Sequence, residues 1–157
     1  MESSRALRSC HLPEQIKGFI TIVYYVFRLI VMKTVGYFDG VDPSLLSILA
    51  ANGFCTVPLG NEWDSHGKIA SQLEPGEVDI IVVHLHKLMP PRNDVERPVP
   101  VPLNLLYPAR TYNIPVLVVV PKEFHKQAKV LLGEVSNFAN IVAPEDLEEN
   151  IRKILEF

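Results

Sequence analysis

Two apolar runs constrain the fold of this chain more than any other feature of its sequence. The runs are DIIVVHL, residues 79–85, and IPVLVVV, residues 114–120, and neither alternates apolar with polar residues. A strand with one face in water alternates, whereas a strand buried in a parallel sheet is apolar on both faces. The two runs therefore predict central strands of a parallel β-sheet that is covered by helices on both sides.

The rest of the chain supplies more strands and the helices between them. Further strands are predicted at 34–38, 54–59 and 140–142. The first helix begins at Asp42-Pro43, because aspartate suits the N-cap and proline the first helical position, and it ends at Asn52-Gly53. Other helices are predicted through Ile69 and Leu73, near 103–112, at 123–135 and from 144 onward.

Five strands alternating with five helices define an α/β fold with a doubly wound, five-stranded parallel sheet. Right-handed crossovers leave few topologies for such a chain. The favoured strand order is the flavodoxin-like order 2-1-3-4-5. Ligands of this fold bind beyond the carboxyl ends of the strands, between the first and the third strand.

Length and charge narrow the class of protein. The chain has 157 residues, with 15 basic and 18 acidic side chains and a net charge of −3. Residues 32–157 therefore suit one domain, and the charge does not favour a nucleic-acid partner. Cys10 and Cys55 form no disulfide framework and no zinc motif, which predicts buried, reduced thiols in a cytoplasmic protein.

Residues 1–31 form an N-terminal extension with four basic and two acidic residues, a net charge of +2. The extension leads into an apolar run over 18–32 that Arg28 interrupts. Three interpretations stay open. In the first, residues 1–31 are a loose extension or the product of a mis-assigned start. In the second, residues 16–32 anchor the chain to a membrane, and in the third, the segment packs on the domain as an extra element. The run is short for a transmembrane helix, which needs about 20 apolar residues.

Acidic side chains and imidazoles are predicted to meet at the carboxyl edge of the sheet. Asp39 and Asp42 follow the first strand, and His84 and His86 end the third. Side chains two residues apart on a strand share a face, so the two histidines are expected to point together. Carboxylates and imidazoles bind divalent metal ions and exchange protons, so Asp39, His84 and His86 are candidate metal ligands.

The loop after the second strand adds polar residues and an indole to the same edge. Asn61, Trp63 and Asp64 lie in this loop. Trp63 is interpreted as a platform for a planar ligand, or as a side chain that packs over a strand end. The sequence holds neither the glycine-rich nor the Walker phosphate motif, nor a G-x-S-x-G nucleophile elbow.

Residues 33–157 resemble the response-regulator receiver domain, a flavodoxin-like signalling module. The resemblance rests on short matches to the sequence: Asp39, Asp42-Pro43, DIIVV at 79–83, LMP at 88–90, IPVLVV at 114–119 and PEDL at 144–147. The phosphorylated aspartate of that family falls on His84 or His86, the hydroxyl residue on Val120 and the lysine on Ala143. The resemblance therefore implies a degenerate pseudo-receiver that is not phosphorylated on aspartate.

Two functions follow as expectations. The first is a non-enzymatic regulatory or interaction module, with a protein partner docked on the proline-rich loop 89–102. The resemblance also implies that the last helices and the fourth-strand face bind partners. Homodimerisation through the last helix or the fourth-strand face is a further expectation. The alternative is a small-molecule or divalent-metal binding protein, or a small enzyme, that uses the crevice of Asp39, His84 and His86.

Overall fold

The computed structural model describes residues 16, 18–20, 22, 23, 26, 32–91 and 102–157. The chain divides into two compact units, Met1–Met32 and Lys33–Phe157, and each is described by itself.

In the first unit, the described residues between 16 and 26 are helical. Their large apolar side chains are exposed: Ile16, Phe19, Ile20, Ile22, Val23 and Val26. Among the residues that the structure describes, no helix is long and apolar enough to cross a membrane. The alternatives for residues 1–31 stay predictions, because most of that segment lies outside the described residues.

In the second unit, the described residues form a single parallel sheet of six strands. The strands are β1 Thr34–Phe38, β2 Cys55–Gly60, β3 Lys68–Ile69, β4 Ile80–His84, β5 Val116–Val119 and β6 Ala139–Val142. Every strand pair is parallel, and the strand order is β3-β2-β1-β4-β5-β6. The parallel α/β architecture predicted from the apolar runs is confirmed.

The helices lie between the strands and after the last one. They are α1 Pro43–Ala51, α2 Leu85–Leu88, α3 Pro102–Leu105, α4 Tyr107–Thr111, α5 His125–Leu132 and α6 Leu147–Leu155. Short 3-10 helices occur at Ala70–Gln72, Lys122–Phe124, Gly133–Asn137 and Pro144–Asp146.

The two faces of the sheet carry separate apolar clusters. Ile80 and Val82 of β4 belong to one cluster, together with side chains of α1 and α6. Ile81 and Val83 belong to the other, together with side chains of α3, α4 and α5. Since alternate residues of a strand point to opposite faces, β4 is apolar throughout because both its faces are covered.

The first helix begins and ends where the sequence predicts. The Asp42 carboxylate accepts hydrogen bonds from the Ser44 backbone N–H at 2.9 Å and from the Ser44 hydroxyl at 2.6 Å. Gly53 follows the helix with a φ of +82°, in the left-handed region that glycine enters without strain. This helix fixes the connection from β1 to β2.

Two details of the predicted topology differ from the structure. A sixth strand, β3, lies outside β2, so the complete order is not the five-stranded order 2-1-3-4-5. Ile69, predicted to be helical, is in this strand, and only a 3-10 helix follows it. Since β3 has just two residues, the sequence carries no alternation that could have predicted it.

Cys55 is exposed, which contradicts its prediction as a buried core thiol. It begins β2, whereas β3 pairs only with Leu59 and Gly60 at the other end of that strand. The first residues of β2 therefore lie beyond the reach of β3. Cys10 lies outside the described residues.

Candidate functional site

A cavity of about 650 Å³ lies at the carboxyl ends of β4 and β5. Its lining comes from three places: Trp63 and Asp64 after β2, the end of β4 with the segment that follows it (residues 84–87 and 89–91), and the end of β5 with the segment that follows it (residues 119–121 and Phe124). The carboxyl edge is where open parallel sheets bind ligands. A second cavity of about 500 Å³ is lined by residues 75–76, 78–79 and 111–115, at the opposite, amino edge of β4 and β5.

Asn61 holds the loop that carries Trp63 and Asp64. Its side chain is buried, with an exposed fraction of 1%. The amide oxygen accepts hydrogen bonds from the backbone N–H groups of Trp63, at 3.2 Å, and Asp64, at 2.8 Å. The amide nitrogen donates to the carbonyl of Lys87 at 2.9 Å, so one side chain joins this loop to the segment after β4.

Two glycines let the same loop fold back on β2. A Cβ atom at Gly60 would overlap the carbonyl oxygen of His66, and one at Gly67 would overlap the carbonyl oxygen of Pro58. Gly67 also has a φ of +69°. The close approach and the left-handed backbone both require glycine, and they hold the loop whose Trp63 lines the cavity.

Lys87, which follows β4, contacts carboxylates that follow β1 and β2 at this edge of the sheet. Its ammonium lies 3.1 Å from the Asp39 carboxylate and 3.2 Å from the Asp64 carboxylate. The hydrogen bond from Lys87 holds the pKa of Asp39 below its ordinary value, and the hydrogen bond to Asp39 raises the pKa of Lys87. The Lys87 side chain therefore bridges the ends of β1 and β4, where the sequence predicted a ligand crevice.

His84 and His86 lie side by side, although not for the reason the sequence suggested. β4 ends at His84, and His86 belongs to α2, so the two do not share the face of one strand. Their ring centroids are nevertheless 5.8 Å apart. Burial lowers the pKa of His84, repulsion from His86 adds to the effect, and a backbone hydrogen bond with Gly40 opposes it.

The predicted site residues separate into two groups. Trp63, Asp64, His84 and His86 line the cavity. Asp39, Asp42 and Asn61 instead have internal partners: an ion pair with Lys87, the cap of α1, and the backbone of the 61–64 turn.

The predicted metal site of Asp39, His84 and His86 is not assembled as a cluster. Within the part of the chain that the structure describes, no three His, Cys, Asp or Glu side chains are grouped to hold a metal ion. The divalent-metal interpretation stays a prediction.

Lys87 and Phe124 belong to the site but were missed in the sequence. Lys87 looks like an ordinary solvent-exposed lysine until its two carboxylate partners, from distant segments, are known. Phe124 lies three residues after Pro121, beyond the second buried run, and is half-exposed beside the cavity. Its place just after a central strand is the signal that could have identified it.

The lowered pKa of His84 predicts how the fold responds to pH. The ordinary pKa of this imidazole is 6.5. Because the pKa is lower in the folded chain, the unfolded chain binds more protons at pH values near and below 6.5. The free energy of unfolding should therefore fall as the pH decreases from about 7.5 toward about 5. Urea unfolding across this pH range should show a smaller fall in the free energy of unfolding for His84→Gln than for wild type. An equal fall in both would contradict the lowered pKa of His84.

Compared with protein-family models, with curated proteins and with solved structures, the chain matches none of them. The geometry of the cavity and its lining residues is therefore the basis for assigning a function.

Proposed function

We propose that residues 33–157 form a non-enzymatic regulatory module that binds a small molecule in the cavity at the carboxyl ends of β4 and β5. The observation that carries this proposal is the cavity itself, about 650 Å³ in volume and lined by Trp63, Phe124 and mainly apolar residues. Small-molecule sites are typically concave and mostly apolar, with a few placed polar groups.

The state of the nearby carboxylates favours binding over catalysis. Asp39 is paired with Lys87, and Asp42 accepts two hydrogen bonds from Ser44. Hydrogen bonds from these partners lower the pKa of both carboxyl groups. A carboxylate stabilised in this way is a weaker base, whereas a general base works best when its pKa lies near the working pH.

The resemblance to receiver domains is part of this proposal. In that family, an acidic corner after the first strand binds a metal ion, and an aspartate at the end of the third strand accepts phosphate. Here Lys87 is paired with the carboxylate of that corner, and the strand that would carry the acceptor ends at His84. We therefore infer a pseudo-receiver whose signal is a bound ligand instead of a phosphoryl group.

A protein partner is the second candidate, and one observation favours it. Met89, Pro90 and Pro91 begin the proline-rich loop 89–102 and form part of the cavity wall. Residues 92–101 lie outside the described residues. A pull-down in which Pro90→Ala/Pro91→Ala loses partners that wild type retains would favour this candidate.

A ligand in the cavity is expected to change the fluorescence of Trp63, the single tryptophan of the chain. The experiment titrates the full chain with a library of neutral, anionic and cationic small molecules. We expect a subset to shift the emission and Phe124→Ala to weaken their binding roughly tenfold, or about 1.4 kcal/mol, since an aromatic wall is lost.

Tyr107→Ala is the matched control for this titration. Tyr107 is an exposed aromatic residue of α4 that does not line the cavity, so its removal should leave affinity unchanged. Equal affinities in Phe124→Ala and wild type, or a library in which no compound shifts the emission, would contradict the proposed function.

A further inference from the structure

We propose that the ligand is a planar, nitrogen-containing heteroaromatic ring system that carries no negative charge, an inference that rests on the proposed function. The walls, the charges and the polar groups of the cavity each restrict the chemistry of what it can hold.

The walls of the cavity suit a flat apolar body. Trp63 and Phe124 come from different connections, after β2 and after β5, and Leu85, Met89 and Pro90 add apolar surface. Aromatic side chains bind flat rings by stacking and edge-to-face contacts, and methionine adapts to irregular surfaces. A planar ring system would therefore contact apolar atoms supplied by three separate connections.

The charges of the cavity do not favour an anion. Among the lining residues that the structure describes, Asp64 and Lys87 carry opposite formal charges and pair with each other at 3.2 Å. Lys87 has a second carboxylate, that of Asp39, at 3.1 Å. An anionic ligand would meet an ammonium already neutralised by two carboxylates and would lose its hydration without a compensating partner. The complete sequence also lacks the glycine-rich phosphate motifs.

The imidazoles supply hydrogen bonds without requiring a charged ligand. His84 and His86 both line the cavity, with ring centroids 5.8 Å apart. A neutral imidazole presents one N–H donor and one nitrogen acceptor. Burial lowers the pKa of His84, and a hydrogen bond to the Gly40 backbone opposes the effect, so the N–H of the neutral His84 ring already has an acceptor. The N–H donor left for a ligand is that of His86. A ring nitrogen in the ligand can accept from such a donor, whereas a purely hydrocarbon ring cannot.

Three matched probes test the inference by calorimetric titration of the full chain at pH 7.5. They are quinoline-3-carboxamide, its anionic counterpart quinoline-3-carboxylate, and naphthalene-2-carboxamide, which lacks the ring nitrogen. We expect quinoline-3-carboxamide to bind at least tenfold more tightly than quinoline-3-carboxylate and at least about threefold more tightly than naphthalene-2-carboxamide. Equal or tighter binding of the carboxylate would overturn the inference.

A variant shows whether the imidazoles recognise the ring nitrogen. In His86→Phe the advantage of quinoline-3-carboxamide over naphthalene-2-carboxamide should disappear, whereas His84→Phe, which keeps the His86 donor, should retain it. An advantage that persists in His86→Phe would overturn the role of the imidazole.

The ligand class and the proposed function fail in different ways. If no probe binds while other library compounds shift Trp63 emission, the ligand class is wrong and the proposed function stands. If no compound of any class binds in the cavity, the proposed function fails with it.

Discussion

Gly67→Ala is expected to destabilise the fold by about 3 kcal/mol. A Cβ atom at this position would overlap the Pro58 carbonyl, which is backbone and cannot rotate away. The backbone also has a φ of +69°, which is strained for an L side chain. Overpacking and left-handed strain each cost roughly 1–3 kcal/mol. Urea unfolding followed by circular dichroism measures the loss.

Gly76→Ala is the matched control, because it shares the strain without the overlap. Gly76 has a φ of +82°, and nothing lies within 4 Å of a Cβ atom placed there. We expect it to lose about 1 kcal/mol, the ordinary cost of the left-handed backbone. If the two variants lose the same stability, the packing of the 61–67 loop against β2 is not as described.

Asn61→Asp is the second substitution with a large expected effect, about 2–3 kcal/mol at pH 7. The side chains of asparagine and aspartate have nearly the same shape. The carboxylate, however, cannot donate to the Lys87 carbonyl and places a charge in a buried position. An unpaired buried acceptor costs about 1–3 kcal/mol, and more when the group is charged. Asn140→Asp, at an exposed position of β6, should stay within about 0.5 kcal/mol.

The comparison with Asn140→Asp separates this cause from the general effect of exchanging an amide for a carboxylate in a strand or turn. A loss of stability in Asn61→Asp no larger than that in Asn140→Asp would contradict the hydrogen bond from Asn61 to the Lys87 carbonyl.

The fold could be predicted to the extent that it depends on burial over long runs. The unbroken apolar character of β4 and β5 identified a parallel sheet, since only strands covered on both faces have that composition. The cap of α1 could be predicted from Asp42 and Gly53 because capping is local. The strand β3 could not, because two residues carry no periodicity and their pairing depends on the turn at Gly67.

The candidate site could be predicted only in part, because some of its contacts join segments that are distant in the sequence. Trp63, Asp64, His84 and His86 follow strands whose carboxyl ends meet at one edge, so the topology alone brings them near. Lys87 escaped prediction because its carboxylate partners lie 48 and 23 residues away in the sequence. That ion-paired lysine bridges β1 and β4, and the cavity lies one strand further along, between β4 and β5.

Amide chemical-shift mapping tests most directly whether this cavity is the binding site. The tightest library compound is added to ¹⁵N-labelled full chain, and the perturbed amides are located. We predict perturbations at residues 63–64, 84–89 and 119–120 and at Phe124, around the cavity at the carboxyl edge. Perturbations concentrated at residues 76–79 and 111–114, around the second cavity, would contradict the assignment.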